Sequence, residues 1–166
     1  MVLTKAELIA SLQNEVRILL HLAGKLDATS VDYRPTPKQR SSIELLRYLT
    51  LMGPGLVMAV KTGTFDREAW GARAKAAEAK GLDAILADIA TQPAAFAEMI
   101  GGMTDEDFRG EVEMFGSKAS RGSIIVNMVL GGYAAYRTQL FCYLKACGRD
   151  ELNTANLWRG VDPVPA

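Results

Sequence analysis

Apolar residues recur at intervals of three and four along several stretches of this chain, and this spacing constrains the fold more than any other feature. The pattern is clearest in residues 4 to 26 and in residues 82 to 103. An α-helix turns once in ~3.6 residues, so side chains at this spacing share one face, and that face is buried against a neighbouring element. The first stretch carries Ile9, Leu12, Val16, Leu19, Ala23 and Leu26. The spacing therefore predicts an all-α fold.

Two prolines interrupt this pattern without ending it. Pro54 lies inside an apolar run that follows Ser41, and Pro93 lies inside the stretch that begins at Leu82. Apolar positions 89, 96 and 103 keep one phase on both sides of Pro93. Because proline removes a backbone donor and kinks a helix, we predict a kinked second helix that ends near residue 61 and a single kinked third helix.

The remaining segments differ in character. Residues 62 to 80 are rich in alanine and charge with Trp70 as their apolar anchor, which predicts a partly helical surface excursion. Residues 110 to 122 show no useful alternation and are predicted to be irregular. A fourth helix is predicted from residue 120 to residue 147. The result is a four-helix bundle with kinked helices and an irregular segment before helix four, and residues 1 to 166 have the length of a single domain.

Charge and hydropathy exclude several classes of function. Nineteen Lys and Arg balance nineteen Asp and Glu, and no basic stripe of the kind that binds nucleic acid is present. The longest charge-free run, residues 122 to 136, has 15 residues, whereas a membrane-spanning helix needs ~20 apolar residues. We expect a cytoplasmic protein with neither nucleic-acid nor membrane partners.

Few residues are suited to metal binding or catalysis. The single histidine, His21, falls on the polar side of the first helix, so we predict a surface side chain. Cys142 and Cys147 are five residues apart on one helix and point about 140° away from each other, so they cannot pair within it. We therefore predict no metal and no other cofactor. In the tail, Leu157 and Trp158 are expected to dock on the bundle.

Two segments resemble the sequence pattern of DinB-like proteins. One is "YRPTPKQRSSIELLRYL" at residues 33 to 49, where Ser41 and Glu44 have the spacing of a helix capping box. The other, which is more specific, is "GYAAYRTQLFCYLKACG" at residues 132 to 148. The resemblance implies an up-up-down-down four-helix bundle that is commonly dimeric and holds a divalent metal through three histidines. Known members include thiol-dependent S-transferases and maleylpyruvate isomerases.

The three ligand positions that the resemblance implies hold no histidine in this chain. They fall on Tyr48, Gly132 and Tyr136. In one interpretation the two tyrosines pack the former site shut and the glycine makes room for them. In the other, a cavity survives and binds a metal-free ligand. That cavity would be lined by the three positions together with Glu44, Arg137 and Gln139.

These observations lead to two hypotheses about function. The first is a metal-free DinB-like bundle that is a non-catalytic small-molecule-binding or interaction protein, with a homodimer implied by the resemblance. The alternative is a thiol-dependent S-transferase or isomerase that works without the metal, in which Tyr48 or Tyr136 acts as the acid and Arg137 orients an anionic substrate. An open pocket with convergent polar groups supports a binder or an enzyme, whereas a filled interior supports a structural remnant.

Overall fold

The computed structural model describes residues 3–163, most of which are helical. The helices are α1 (Lys5–Ala23), α2 (Ser42–Thr62), α3 (Arg67–Glu78), α4 (Leu82–Gly101), α5 (Asp105–Arg109), α6 (Arg121–Ile124) and α7 (Gly131–Ala146). A π-helical segment (Ile125–Leu130) joins α6 to α7 without a break, and a second one (Ala155–Arg159) lies in the tail. The predicted all-α class is confirmed. The sequence predicted one domain over residues 1 to 166, and five of these residues, at the two ends of the chain, lie outside the described range.

The long helices bury one apolar core. Helix α1 packs against α4 and α7, and α2 packs against α4, α3 and the π-helical segment before α7. Each long helix contributes fully buried side chains to this core, for example Leu12, Leu49, Ile89 and Leu140. Helix α2 is long and apolar enough to cross a membrane by length and composition alone, but 56% of its apolar window is buried inside the bundle. Its apolar character is therefore accounted for by the core.

Both prolines lie inside continuous helices, as the apolar phase predicted. Helix α2 passes through Pro54 and ends at Gly63, whose φ of 74° is left-handed. Helix α4 passes through Pro93. The capping box is also confirmed, because the Ser41 hydroxyl accepts from the Glu44 amide and the Glu44 carboxylate accepts from the Ser41 amide. Local sequence signals thus determine where α2 begins and ends.

The segment before α6 is a β-hairpin, and the prediction of an irregular segment was wrong. Strand β1 (Glu111–Met114) pairs antiparallel with β2 (Ser117–Ser120). Phe115 and Gly116 form the turn, with φ values of 51° and 76°, the backbone of a two-residue hairpin turn. The sequence signal was weak because the strands have four residues each and phenylalanine is uncommon at a positive φ.

The tail covers the side of α1 that was predicted to face solvent. The His21 side chain is only 16% exposed, and its Nε2 lies 3.7 Å from Asp162 Oδ1 and 3.1 Å from the amide nitrogen of the buried Asn156. Burial lowers the pKa of His21. The prediction of a surface histidine was therefore wrong, because the tail folds back on α1. Leu157 is half-buried as expected, whereas Trp158 remains 65% exposed and contacts the bundle through Arg137, whose Cζ lies 5.1 Å from the centroid of its ring.

Candidate functional site

Tyr48 on α2 and Tyr136 on α7 meet between the two helices. Their ring centroids are 5.3 Å apart and the rings are inclined by 70°, an edge-to-face contact. Gly132 lies one turn before Tyr136 and faces Met52, one turn after Tyr48, because a Cβ built on Gly132 would lie 3.2 Å from Met52 Cε. The expected contact between the two tyrosines is confirmed, and Gly132 lies on the same helix–helix contact.

The surroundings of Tyr48 keep its phenol protonated. Burial raises the pKa of Tyr48 to about 12, and the neighbouring Tyr136 phenol adds to the increase. The guanidinium of Arg40 acts in the opposite direction, with its Cζ 4.2 Å from the centroid of the Tyr48 ring. Near pH 7 Tyr48 is a neutral hydrogen-bonding group, as any tyrosine is, and the shift moves its ionisation further from this range.

A cleft of about 440 Å³ opens beside Tyr48, between α2 and α3. It is lined by Arg40, Glu44, Arg47, Tyr48 and Leu51 on the α2 side and by Trp70, Ala74, Ala77 and Glu78 of α3. The Trp70 ring contacts Tyr48 at a centroid distance of 6.2 Å and an angle of 64°. The space remains open because α3 presents the small side chains of Ala74 and Ala77 toward α2.

The carboxylate of Glu44 is engaged within its own segment. It accepts hydrogen bonds from Arg34 Nη2 at 2.6 Å and from the Ser41 amide at 3.0 Å. The Arg34 bond is the chief cause of the lowered pKa of Glu44, and Arg47 contributes more weakly. Glu44 thus lines a cleft on the α3 side of Tyr48, which is not the predicted cavity around Gly132 and Tyr136, and its charge is largely balanced by Arg34.

The two arginines that line the cleft differ from Arg34 in this respect. Arg47 donates through Nε and Nη2 to the carbonyl oxygen of Lys80, at 3.2 and 2.9 Å. Arg40 is exposed and lies over the Tyr48 ring. Within residues 3–163, neither guanidinium forms an ion pair with a carboxylate. The rim of the cleft therefore carries two positive charges that are available to a ligand.

Arg137 and Gln139 lie away from this cleft, contrary to the expectation that they line one cavity with Tyr48. Arg137 is buried, forms an ion pair with Glu15 of α1 and donates to the carbonyl oxygen of Leu157. Gln139 donates to the hydroxyl of Tyr143. The physical reason is helical geometry, since consecutive side chains point ~100° apart around the axis. Arg137 is therefore directed to α1 when Tyr136 faces α2.

Sequence reasoning missed the α3 side of the cleft. Trp70 had been noted only as the apolar anchor of a surface excursion, and no periodic pattern assigned Ala74, Ala77 or Glu78 to a site. The one signal was the combination of a single tryptophan with an alanine-rich helix. Such a helix packs through its large side chain and leaves space beside its small ones. Arg40 and Arg47 gave no signal, because charged residues are ordinary at a helix start.

The fold is that of a DinB-like protein. The crystal structure of a DinB-like protein from Bacillus subtilis, YjoA, matches this structure with a TM-score of 0.67 over 89% of this chain and 96% of that chain, at 14% sequence identity. No protein-family model matches the sequence, and neither does any curated protein. At this identity the likeness establishes the fold, whereas function has to be argued from the site.

The residues at the Tyr48 contact do not fit the three-histidine metal site that the resemblance implies. Gly132 offers no ligand atom, and the phenol of Tyr48 holds its proton more firmly than an ordinary tyrosine does. Within residues 3–163 there is no group of three or more His, Cys, Asp or Glu side chains that could hold a metal ion.

Proposed function

We propose that this protein is a metal-free small-molecule-binding protein and that its site is the cleft between α2 and α3. The observation that carries the proposal is the open volume of about 440 Å³ beside Tyr48 and Trp70. Small-molecule pockets typically enclose ~300–1,000 Å³ and combine apolar walls with a few polar groups. The tyrosine pair fills the contact between α2 and α7, but the space on the α3 side remains open.

The alternative, a thiol-dependent transferase or isomerase without a metal, has weaker support. Arg137, which was expected to orient an anionic substrate, is buried in its pair with Glu15. The raised pKa of Tyr48 makes this phenol a poor proton donor near pH 7, because efficient general acids have a pKa near the working pH. These observations favour binding over catalysis.

We propose that the protein is a homodimer in the cytoplasm. The dimer is implied by the DinB resemblance, and free thiols at Cys142 and Cys147 fit a reducing compartment. The face that we would test is the groove between α1 and α7, where the exposed Trp158 stands beside the small residues Gly131 and Ala134. Sedimentation equilibrium should show a dimer that Trp158→Glu weakens, and a monomeric parent would contradict the proposal.

A cleft-filling variant tests the binding function. We would screen a library of small acids, bases and neutral compounds for an increase in melting temperature, since a ligand that binds only the folded state stabilises it. Ala74→Trp should occupy the cleft and abolish the increases found for the parent. The matched control is Ala72→Trp on the exposed side of the same helix, which should retain them. No stabilising compound, or equal loss in both variants, would contradict the proposal.

A further inference from the structure

We infer that the α2–α3 cleft binds flat aromatic monocarboxylates, with the ring beside Tyr48 and Trp70 and the carboxylate at Arg40 and Arg47. This inference rests on the proposed binding function and names its ligand class. Three features of the cleft carry it. They are the shape of its apolar wall, the charge of its rim and the protonation state of its phenol.

The apolar wall suits a flat ring. Tyr48 and Trp70 stand at 64° to each other, 6.2 Å between centroids, so each presents an edge or part of a face to the space beside it. Leu51 is buried beneath, and Ala74 and Ala77 add only methyl groups on the α3 side. Aromatic pairs favour offset and edge-to-face contacts, which an inserted planar ring can make with both side chains.

The charge of the rim selects an anion. The lining holds two guanidiniums, Arg40 and Arg47, and two carboxylates, Glu44 and Glu78. Arg34, which lies outside the lining, neutralises Glu44, and this leaves an excess of one positive charge. A carboxylate would therefore supply the partner that Arg40 and Arg47 lack. The guanidinium of Arg40 can bind a carboxylate through two parallel hydrogen bonds, whereas Arg47, whose Nε and Nη2 donate to Lys80, contributes mainly its charge. A cation would instead meet two positive groups.

Tyr48 adds no competing negative charge to the wall. Burial raises the pKa of this phenol to about 12, so near pH 7 a bound anion faces a neutral ring. The guanidinium of Arg40 is already positioned over that ring, 4.2 Å from its centroid. A carboxylate at Arg40 thus lies next to the aromatic wall, which places both recognition elements within the length of one small molecule.

Calorimetric titration with three probes tests the inference. The probes are 2-naphthoate, the uncharged 2-naphthamide with the same ring system, and cyclohexanecarboxylate with the same charge but no flat ring. The parent should bind 2-naphthoate about tenfold more tightly than either of the others, the effect of one charge-assisted contact or one aromatic contact. Trp70→Leu should weaken both naphthalene probes.

Arginine variants separate the local contact from long-range attraction. Arg40→Gln should remove the preference for 2-naphthoate over 2-naphthamide. Arg67→Gln, at an exposed position of α3 that does not line the cleft, changes the net charge equally and should retain the preference. Circular dichroism checks that both variants fold, which is expected because both arginines are exposed.

The outcomes distinguish this inference from the proposed function. Equal binding of 2-naphthoate and 2-naphthamide would overturn the carboxylate assignment and leave the binding function standing. The same conclusion would follow if the compounds whose binding Ala74→Trp abolishes were cations. Equal binding of 2-naphthoate and cyclohexanecarboxylate would overturn the aromatic assignment. If neither these probes nor any library compound binds in a way that Ala74→Trp abolishes, both proposals are wrong.

Discussion

The buried phenol of Tyr133 on α7 donates a hydrogen bond to the side-chain oxygen of Gln92 on α4. The amide nitrogen of Gln92 in turn donates to the carbonyl oxygens of Leu49 and Thr50 on α2, at 2.9 and 3.2 Å. Pro54, four residues after Thr50, has no N–H to offer that carbonyl. Gln92 therefore satisfies a carbonyl that the proline leaves without its helical donor, and it links three helices.

Removing either member of this pair should destabilise the fold. Gln92→Leu leaves the Tyr133 hydroxyl and the Thr50 carbonyl unsatisfied and should lower the free energy of unfolding by roughly 2–6 kcal/mol, since each of the two unsatisfied buried groups costs ~1–3 kcal/mol. Tyr133→Phe leaves one buried group, the side-chain oxygen of Gln92, without its donor and should lower the free energy of unfolding by about 1–3 kcal/mol. In urea unfolding, the double variant should lose less free energy of unfolding than the two single variants lose together. A loss equal to their sum would contradict the link between Gln92 and Tyr133.

Gly53 provides a test of packing at the same place. A Cβ at this position would overlap the Tyr133 hydroxyl and lie 2.8 Å from Phe96 Cζ. Gly53→Ala should therefore lower the free energy of unfolding by about 1–3 kcal/mol, the usual cost of overpacking. The control is Gly71→Ala on α3, where nothing lies within 4 Å of the new Cβ, and there alanine should stabilise by ~0.5–1 kcal/mol. A stabilised Gly53→Ala variant would show that the core relaxes around it.

The long helices were predictable from sequence because burial imposes a period on their apolar residues. The period survived Pro93, and the path of α2 through Pro54 followed from the apolar run beyond it. The hairpin was not predictable in the same way, because its stability comes from tertiary contacts. Its turn residue Phe115, for example, packs its ring 5.2 Å from that of Phe65, a contact that no local pattern encodes.

The site was predictable only at the contact between α2 and α7, because the resemblance indicated which residues of these two helices face each other. Tyr48 and Tyr136 were expected to meet, and they do. Arg137 was assigned by its place next to Tyr136 in the chain, yet the side of α7 that it occupies belongs to the contact with α1. The cleft itself depends on how the short helix α3 packs on α2, which is decided by a few contacts of Trp70 and not by periodicity.

The ion pair between Glu15 and Arg137 should be costly to break. Their side chains are 12% and 5% exposed. Glu15→Leu leaves a buried guanidinium without its counter-charge and should lower the free energy of unfolding by ~3–5 kcal/mol. Glu15→Leu combined with Arg137→Met should recover most of this loss in urea unfolding. A single variant as stable as the parent would indicate that water reaches the guanidinium.

The raised pKa of Tyr48 predicts a loss of stability at high pH. Because its pKa is 10.0 when unperturbed and about 12 in the folded protein, the unfolded state releases this proton first. The contribution is therefore fully present below pH 10 and is lost as the pH rises toward 12. Urea midpoints of the parent should fall more steeply across this window than those of Tyr48→Phe. Parallel curves would contradict the shift.

Tyr48, Gly132 and Tyr136, the positions at which the DinB resemblance implies metal ligands, are expected to face one point. The parent is expected to hold no stoichiometric transition metal by elemental analysis, since Tyr48, Gly132 and Tyr136 supply no imidazole. Replacing all three with histidine should create a site with three imidazoles and an open coordination position. A Cβ at position 132 would meet only the flexible end of Met52, 3.2 Å from its Cε, and that end can move aside. Because the carboxylate of Glu44, one turn before Tyr48, is already engaged by Arg34 and the Ser41 amide, it gives the new imidazoles little support, and we expect weak nickel or zinc binding. Titration calorimetry of the triple variant beside the parent measures it, and a folded variant that binds neither ion better than the parent would mean that the three backbones do not present their side chains to one point.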